Sequence, residues 1–548
     1  MQRPNAALLA GFLALVVAVL SAATLAKGGF YLGKHEGDTL HLLEMVFREV
    51  DGQWPHLDFV TPIGVLATAP IAFFVWLGAG VGHAILYAQV LVALIALPAV
   101  WRVAASRFQG PWAYAFGALV MILLLALVHG EAQPGVSISM HYNRWAWAAA
   151  FIAIAAALMP ENEGRPAPLV DGLIIGAALA AMALIKITYF GAFLIPIVAA
   201  LIGRRAWPTL WTALATGLAV ALSLTLLVGT PIYWLAYLRD LFTVMGSEVR
   251  PQPGLPLTGV VGSPAYMGGS IALLMGVIFL RQAGRALEGL VLLLLVPGFF
   301  YVTYQNFGND PQWLWLLGLM LIALRPARDL NNGLGWNLRQ GLLITGVVAI
   351  AFAAPSMINL AYSPFRHLAA DTGVDDETGQ PLFVPLLPGS GIHEDIQTAR
   401  LRAQRVDAKI ALDTEGAPYF AYADPELRDD AVEFAGETWP ACSVELGMVA
   451  WFTAISDDLE ASGLTEGHTV FTADILSSFW LYGAYAPLPG ASPWYYGGLP
   501  GWDAAEFLLV PRCPLSTKVR KLILDAVAEE GSALTEVRRN EMYVLYAK

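Results

Sequence analysis

Charge and cysteine are both scarce in this chain. Charged side chains are 14% of its 548 residues, against roughly 25% in an ordinary soluble protein. That shortage excludes a soluble enzyme, a disordered chain and a nucleic-acid binder. There are two cysteines, and no zinc-binding spacing. A Walker-type phosphate loop and a serine-nucleophile elbow are missing as well. Glycine pairs such as Gly28-Gly29 lack the flanking strand and helix that a phosphate loop needs. Without a nucleotide-binding domain, a nucleotide sugar or ATP is a poor candidate for the driving substrate. Repeats of fixed period and low-complexity tracts are also lacking.

What the chain has in excess is apolar sequence, 57% of all residues. A hydrocarbon core takes about 20 mostly apolar residues per helix. Stretches of that kind fall near 7–26, 82–101, 112–130, 145–159, 169–188, 190–203, 209–229, 264–281, 286–304, 311–325 and 340–358. The net charge of -12 is unevenly spread: residues 361–548 hold 28 acids and 13 bases, and residues 1–360 hold 15 acids and 18 bases. Two regions follow, a transmembrane domain over 1–360 and an acidic, water-soluble domain over 361–548.

Segment 62–79 decides the topology, because it either spans or lies on the membrane surface. Lys and Arg concentrate in cytoplasmic loops. With 62–79 on the surface and the N-terminus inside, eleven basic residues fall inside, among them Arg102, Arg107, Arg204, Arg205, Arg281 and Arg285. Six then fall in the outer loops: Lys27, Lys34, Arg48, Arg144, Arg239 and Arg250. The surface reading wins, and about 11 spans place the C-terminal domain outside the cytoplasm. The first segment ends in Ser21-Ala22-Ala23-Thr24-Leu25-Ala26, which has a leader-like look. The many spans that follow favour a retained anchor.

The soluble region mixes helical patterns (393–409, 443–462, 515–530) with short apolar strands (468–474, 505–511, 533–538, 541–547), as in a small α/β domain. Cys442 and Cys513 both lie there. In an oxidising compartment a bridge between them is favoured over two buried thiols. It would contribute roughly 4 kcal/mol on the chain-entropy model.

Six of the fifteen acids before residue 361 sit in the first outer loop, 27–64: Glu36, Asp38, Glu44, Glu49, Asp51 and Asp58. Leu40, Leu43, Val46 and Phe47 have helical spacing, which predicts a surface helix over 39–50. Glu44, Arg48 and Asp51 then form its solvated face. Asp38 has two readings: a cap for that helix, or a carboxylate held at the membrane–water boundary that takes a proton from an alcohol.

Glu36-Gly-Asp38, then Gly52-Gln-Trp-Pro55-His-Leu-Asp58-Phe59, then Pro62 and Gly64, resemble the first periplasmic loop of GT-C superfamily glycosyltransferases. The resemblance covers 27–64 by motif and the membrane half by architecture. It implies a polytopic membrane enzyme using a polyprenyl-phosphate-linked sugar. His56 stands where that family usually has an aromatic residue, and the usual paired acids are split by Gly37. Which carboxylate acts is left open by that split.

Other polar groups fall on the same side. His141, Tyr142, Asn143 and Arg144 offer donors suited to phosphate or sugar; alternatively they anchor the interface, with Trp145 and Trp147 in the aromatic belt and Arg144 snorkelling. Lys186, near the outer end of a span, is suited to a lipid phosphate or to snorkelling. Gln305, Asn306 and Asp310 lie in a turn rich in hydrogen-bonding groups, suited to sugar hydroxyls or simply to turning the chain. The long loop 230–263, with Tyr233, Trp234, Tyr237, Arg239 and Arg250, is placed by analogy around a lipid tail and headgroup.

The expected function is sugar transfer, with inversion, from a polyprenyl-phosphate donor to a hydroxyl on a glycan, lipid or protein acceptor outside the cytoplasm of a bacterial-type inner membrane. Asp38, or Glu36 as second choice, is the general base. Lys186, Arg144 or a divalent cation (Mg or Mn, on Asp38 and Glu36) neutralises the leaving phosphate. His56 and Asp58 complete the expected binding set. The alternatives are a transporter or lipid flippase, and a non-catalytic assembly protein with an external binding domain.

Overall fold

The computed structural model describes residues 4–130, 134–162, 166–249, 257–305, 311–326, 328–404, 431–439, 442 and 447–548. The chain opens with α1 (Ala6–Leu25), β1 (Phe30–Leu32) and α2 (Glu36–Val50). A single tight turn over Val65–Ala67 leads into α3 (Ala69–Trp76). There follow α4 (Val81–Arg107), α5 (Pro111–Leu125), α6 (His141–Leu158), α7 (Pro168–Ile185), α8 (Ile187–Gly203) and α9 (Trp207–Val228). Then come α10 (Ile232–Met245), α11 (Leu257–Val261), α12 (Pro264–Gln282), α13 (Ala286–Gln305), α14 (Trp313–Ala323) and α15 (Leu338–Leu368).

Among the described residues, seven of these helices are long and apolar enough to cross a membrane: α1, α4, α7, α9, α12, α13 and α15. Three shorter apolar helices, α5, α8 and α14, run beside them. The remaining long helix, α6, is buried along its whole length. These eleven helices match the eleven apolar stretches of the sequence. Outward-facing Leu214, Leu218, Leu222 and Leu226 on α9 are exposed, as a lipid-facing helix requires. The eight residues of α3 reach only about 12 Å, so segment 62–79 does not cross.

Proline is accommodated inside the longest helix by its neighbour. Pro364 cannot donate to the Leu360 carbonyl, and the Ser363 hydroxyl does so instead at 2.7 Å. The same hydroxyl accepts from the Leu127 amide at 2.8 Å. α15 thereby braces the loop between α5 and α6. It also continues past residue 361 as one unbroken helix to Leu368.

The C-terminal part contains β2 (Phe383–Pro385), β3 (Ile396–Ala399), α16 (Arg400–Gln404), β4 (Val432–Phe434), β5 (Glu437–Trp439) and α17 (Met448–Ser462). It ends with β6 (Val470–Thr472), β7 (Phe507–Pro511), α18 (Thr517–Glu530), β8 (Thr535–Arg539) and β9 (Tyr543–Ala547). The main sheet runs β6-β7-β9-β8, with β6 parallel to β7 and the other pairs antiparallel. The helix expected over 393–409 is instead a short turn, then β3, then α16, with 405–409 outside the described residues. Ile396 and Thr398 are buried and alternate with half-buried neighbours, which is strand periodicity. Cys442 and Cys513 are disulfide-bonded.

The membrane and C-terminal parts are interleaved. β1 of the first loop pairs in parallel with β3, Phe30 opposite Ile396. Asp395 receives the Gly82 and His83 amides, each at 2.8 Å, at the start of α4. A Cβ on Gly82 would strike the Asp395 carbonyl, so this approach requires glycine.

α2 lies at the joint, and here the expected solvated face is corrected. Glu44 and Arg48 are 0% exposed and form an ion pair at 3.1 Å. Ser477 and Ser478 each donate to Glu44 at 2.8 Å. Arg48 donates to the Leu488 carbonyl and to Gln53, both at 3.1 Å, and stacks between Phe59 and Trp480. The polar stripe of α2 is covered by the C-terminal domain instead of water, and only Asp51 is exposed.

Breaking a buried ion pair leaves an uncompensated charge, which costs about 3–5 kcal/mol. Arg48→Met is therefore expected to lower stability by that order in detergent, with faster proteolysis of the C-terminal domain. Asp51→Asn, at the residue that follows the same helix, should stay within about 0.5 kcal/mol of the parent.

Candidate functional site

The first loop enters α2 through His35, which sits in the left-handed region (φ 66) and makes no side-chain cap bond. The helix therefore starts at Glu36, three residues earlier than the apolar spacing predicts. Asp38 lies inside its first turn and does not cap it, which corrects the capping reading. Two residues apart on a helix, Glu36 and Asp38 project about 200° from one another.

Their partners separate them further. Glu36 is buried and paired with Arg402, whose Nε and second guanidinium nitrogen (3.0 Å) both donate to it. Thr398 donates to the same carboxylate at 3.3 Å. Asp38 is only half-buried and accepts from the Ser139 hydroxyl at 2.5 Å. Ser137 accepts from the Ser139 amide at 3.1 Å and bonds His35 Nδ1 at 2.9 Å. His129 lies against His35, ring centroids 5.2 Å apart. Burial, then the nearby His35, push its pKa down to about 3, so it is a neutral neighbour of Asp38 at physiological pH. Among the described residues, no three His, Cys, Asp or Glu side chains converge as a metal site. Glu36 and Asp38 do not fit a shared divalent cation, since one is paired with arginine and the other faces away.

The turn that holds Asp38 also leads to the second feature. Four residues after Ser139, Asn143 accepts from Lys186 Nζ at 3.1 Å. Four residues of chain span at most about 14 Å, so the carboxylate and the ammonium are tied to one short segment. Lys186 stands between α7 and α8, over the Tyr142 ring at 5.6 Å. It heads a cavity of about 600 Å³ lined by Tyr142, Gly191, Ile195, Leu294, Gly298, Tyr301 and Gln305, with Pro62, Pro196 and Pro297 also in its walls. From Lys186 to Ile195 along α8 the lining runs about 14 Å. Ile195, Met245 and Tyr301 leave it open towards lipid, 68%, 77% and 52% exposed. Among the described residues, Lys186 is the one charged side chain in this lining. Asp38 does not line the cavity; it stands beyond the 139–143 turn.

The remaining expected residues divide by geometry. Tyr142 and Gln305 line the cavity, and Asn143 positions Lys186. Arg144 is 0% exposed, with donors engaged by the Val128 and Ala126 carbonyls. It neutralises the carbonyl end of α5 and neither snorkels nor presents a fork to a ligand. Trp145 and Trp147 are buried in the bundle, not in an aromatic belt. His141 bonds the Ala67 carbonyl at 2.8 Å and is fully buried. His56 is fully buried against Asp240 at 3.0 Å and stacked on Tyr237 at 4.2 Å. Burial lowers its pKa, against the opposing pull of Asp240. Asp58 is exposed and accepts the Trp54 amide at 2.6 Å, closing a turn. Asn306 and Asp310 lie outside the described residues, as does Arg250.

The long loop expected over 230–263 contains α10 and α11. Leu241, Val244 and Met245 of α10 form one wall of the cavity, while Tyr233 and Tyr237 are buried behind it. Sequence reasoning missed His35, Ser137, Ser139 and His129. A loop of small polar residues before a span carried no signal distinguishing it from an ordinary connection.

No protein-family model matches the chain, and a search of curated proteins finds no match. Among solved structures, the chain is similar to the crystal structure of ArnT from Cupriavidus metallidurans in the apo state. The two are 12% identical over 98% of this chain and 97% of that one, with a TM-score of 0.41.

The cavity's shape and charge predict an anionic amphiphile. Dodecyl phosphate should bind the purified protein, and Lys186→Met should weaken it about tenfold without affecting a neutral dodecyl maltoside. A Cβ at Gly191 meets open space, so Gly191→Trp should fold and fill the cavity. Titration calorimetry of both variants checks this.

Proposed function

We propose that this chain is a membrane glycosyltransferase of the GT-C type, moving a sugar from a polyprenyl-phosphate donor to an acceptor hydroxyl. The observation that carries the reading is the lipid-facing cavity headed by Lys186 and joined through the 139–143 turn to Asp38. Motif resemblance in the first loop agrees with it. The donor's apolar tail lies in the cavity, where its methylenes leave water. Its phosphate meets Lys186, whose charge stabilises the anion that grows as the glycosidic bond breaks.

Asp38 is the general base. It keeps partial access to solvent while Ser139 holds one oxygen, leaving the other for the acceptor proton. The acceptor oxygen attacks the anomeric carbon opposite the phosphate, the carbon–phosphate-oxygen bond breaks, and the configuration inverts. The acceptor proton passes to Asp38 and the electron pair leaves with polyprenyl phosphate. Glu36 is the weaker candidate, because its lone pairs and charge are already matched by Arg402 and Thr398. It ties the first loop to the C-terminal domain.

The orientation follows from arginine. Arg102, Arg107, Arg204, Arg285 and Arg339 lie at the end of the bundle away from the C-terminal domain. By the positive-inside rule that end is cytoplasmic, and the site and the soluble domain are extracytoplasmic. A cavity at one end, near the surface, also suits transfer better than transport, which uses a site near the bilayer midplane.

General bases contribute about 10²–10⁴ in rate. Asp38→Asn should lower transfer from lipid-linked sugar in membranes by at least about 10². Glu36→Gln should instead reduce stability and yield, with the surviving protein largely active. Full activity in Asp38→Asn removes the assignment.

A further inference from the structure

A second cavity, of about 250 Å³, lies between the C-terminal turn of α2 and α3. Its lining is apolar apart from Glu49 and Gln53, and it includes the rings of Trp54, Phe73 and Trp76. Among the described residues, Glu49 is the one ionisable group in that lining. Its carboxylate accepts from the Thr68 hydroxyl, and the guanidinium of Arg48, one residue away, is turned to Glu44 and the C-terminal domain. The Tyr233 hydroxyl on α10 also lies near Glu49. Phe73 and Trp76 are 47% and 68% exposed. They stand on the short helix that leads into α4 at the C-terminal-domain end. Segment 61–69 separates this cavity from the first: Pro62 and Ile63 face one, Val65 and Ala69 the other.

We propose that this cavity binds the ammonium group of a membrane amphiphile. A single acid among three aromatic rings is the chemistry that recognises an alkylammonium, through a charge-assisted hydrogen bond and cation–π attraction to the ring faces. An anion is disfavoured by the negative ring faces and gains nothing from ionising the acid, and a neutral hydroxyl would leave the rings' preference unused. The site is a different cavity from the one headed by Lys186.

Burial pushes the Glu49 carboxyl up to about 8, against the Thr68 hydrogen bond. At pH 7 it is mostly protonated. An ammonium favours the carboxylate, so binding releases a proton, and this readout separates ammonium binding from simple filling of the cavity by an acyl chain.

The test titrates the purified full chain, in neutral maltoside micelles at pH 7, with dodecylammonium and with dodecanol in two buffers of different ionisation enthalpy. Saturable binding of dodecylammonium with proton release is expected. It should weaken about tenfold or more in Glu49→Gln and in Trp76→Ala. Glu49→Gln keeps an acceptor for Thr68, and Trp76 is largely exposed, so both should fold. Competition by an ethanolamine-headed phospholipid assigns the ammonium to the bulk bilayer. Competition only by an amine-bearing lipid-linked sugar assigns it to that class. Equal binding of dodecanol, unchanged binding in both variants, or no competition by either lipid would overturn the proposal.

Discussion

The ion pair between Glu44 and Arg48 is the constraint on which the functional half of the molecule rests. Neither side chain reaches solvent. Removing two charges from water costs several kcal/mol each, and the cost is offset only because Ser477, Ser478 and the Leu488 carbonyl come from the C-terminal domain. α2 is thus held between membrane helices below and the soluble domain above. Asp38 rides on the first turn of that helix, and Glu36 beside it is pinned by Arg402. The soluble domain does not contribute the proposed base, but it sets where the base stands.

The membrane half supplies the complementary element. α15 reaches across to the loop after α5, where Ser363 and Ser356 hold Leu127 and Gly130, and Arg144 takes two carbonyls at the same place. Those bonds fix the loop that carries Ser139 and leads into the first turn of α6, where Asn143 holds Lys186. A rigid turn between a water-accessible carboxylate and a lipid-facing cation suits a reaction between an aqueous alcohol and a lipid-borne leaving group. Fixed dipoles and charges around the breaking bond need no reorganisation as the reaction proceeds.

Much of this architecture was legible in the sequence. Eleven apolar stretches correspond to eleven helices, and segment 62–79 yields only the eight-residue α3, because length and hydropathy act locally and leave a direct trace. What sequence reasoning could not see was which surface covers which. The periodicity of α2 marks one face as polar, but polarity looks the same under water and under a docked domain, so the pattern alone puts Glu44 and Arg48 in solvent. Arg144 suits a phosphate by residue type, while its carbonyl partners lie 16 and 18 residues earlier. The match of His56 to Asp240, across 184 residues, and of β1 to β3 has no local signature. Asp38 and Lys186 stand out in the sequence by their positions near span ends, yet the segment that joins them is visible only in three dimensions.

The central claim is that the lipid cavity and Asp38 serve one bond-breaking reaction. The most direct measurement reconstitutes the protein in liposomes carrying a panel of polyprenyl-phosphate sugars and follows both donor cleavage and donor movement by mass spectrometry. The account predicts that at least one donor is converted to free polyprenyl phosphate while a hydroxyl acceptor gains the sugar in inverted configuration. Donors that cross the bilayer intact, with no free polyprenyl phosphate from any of them, would contradict it.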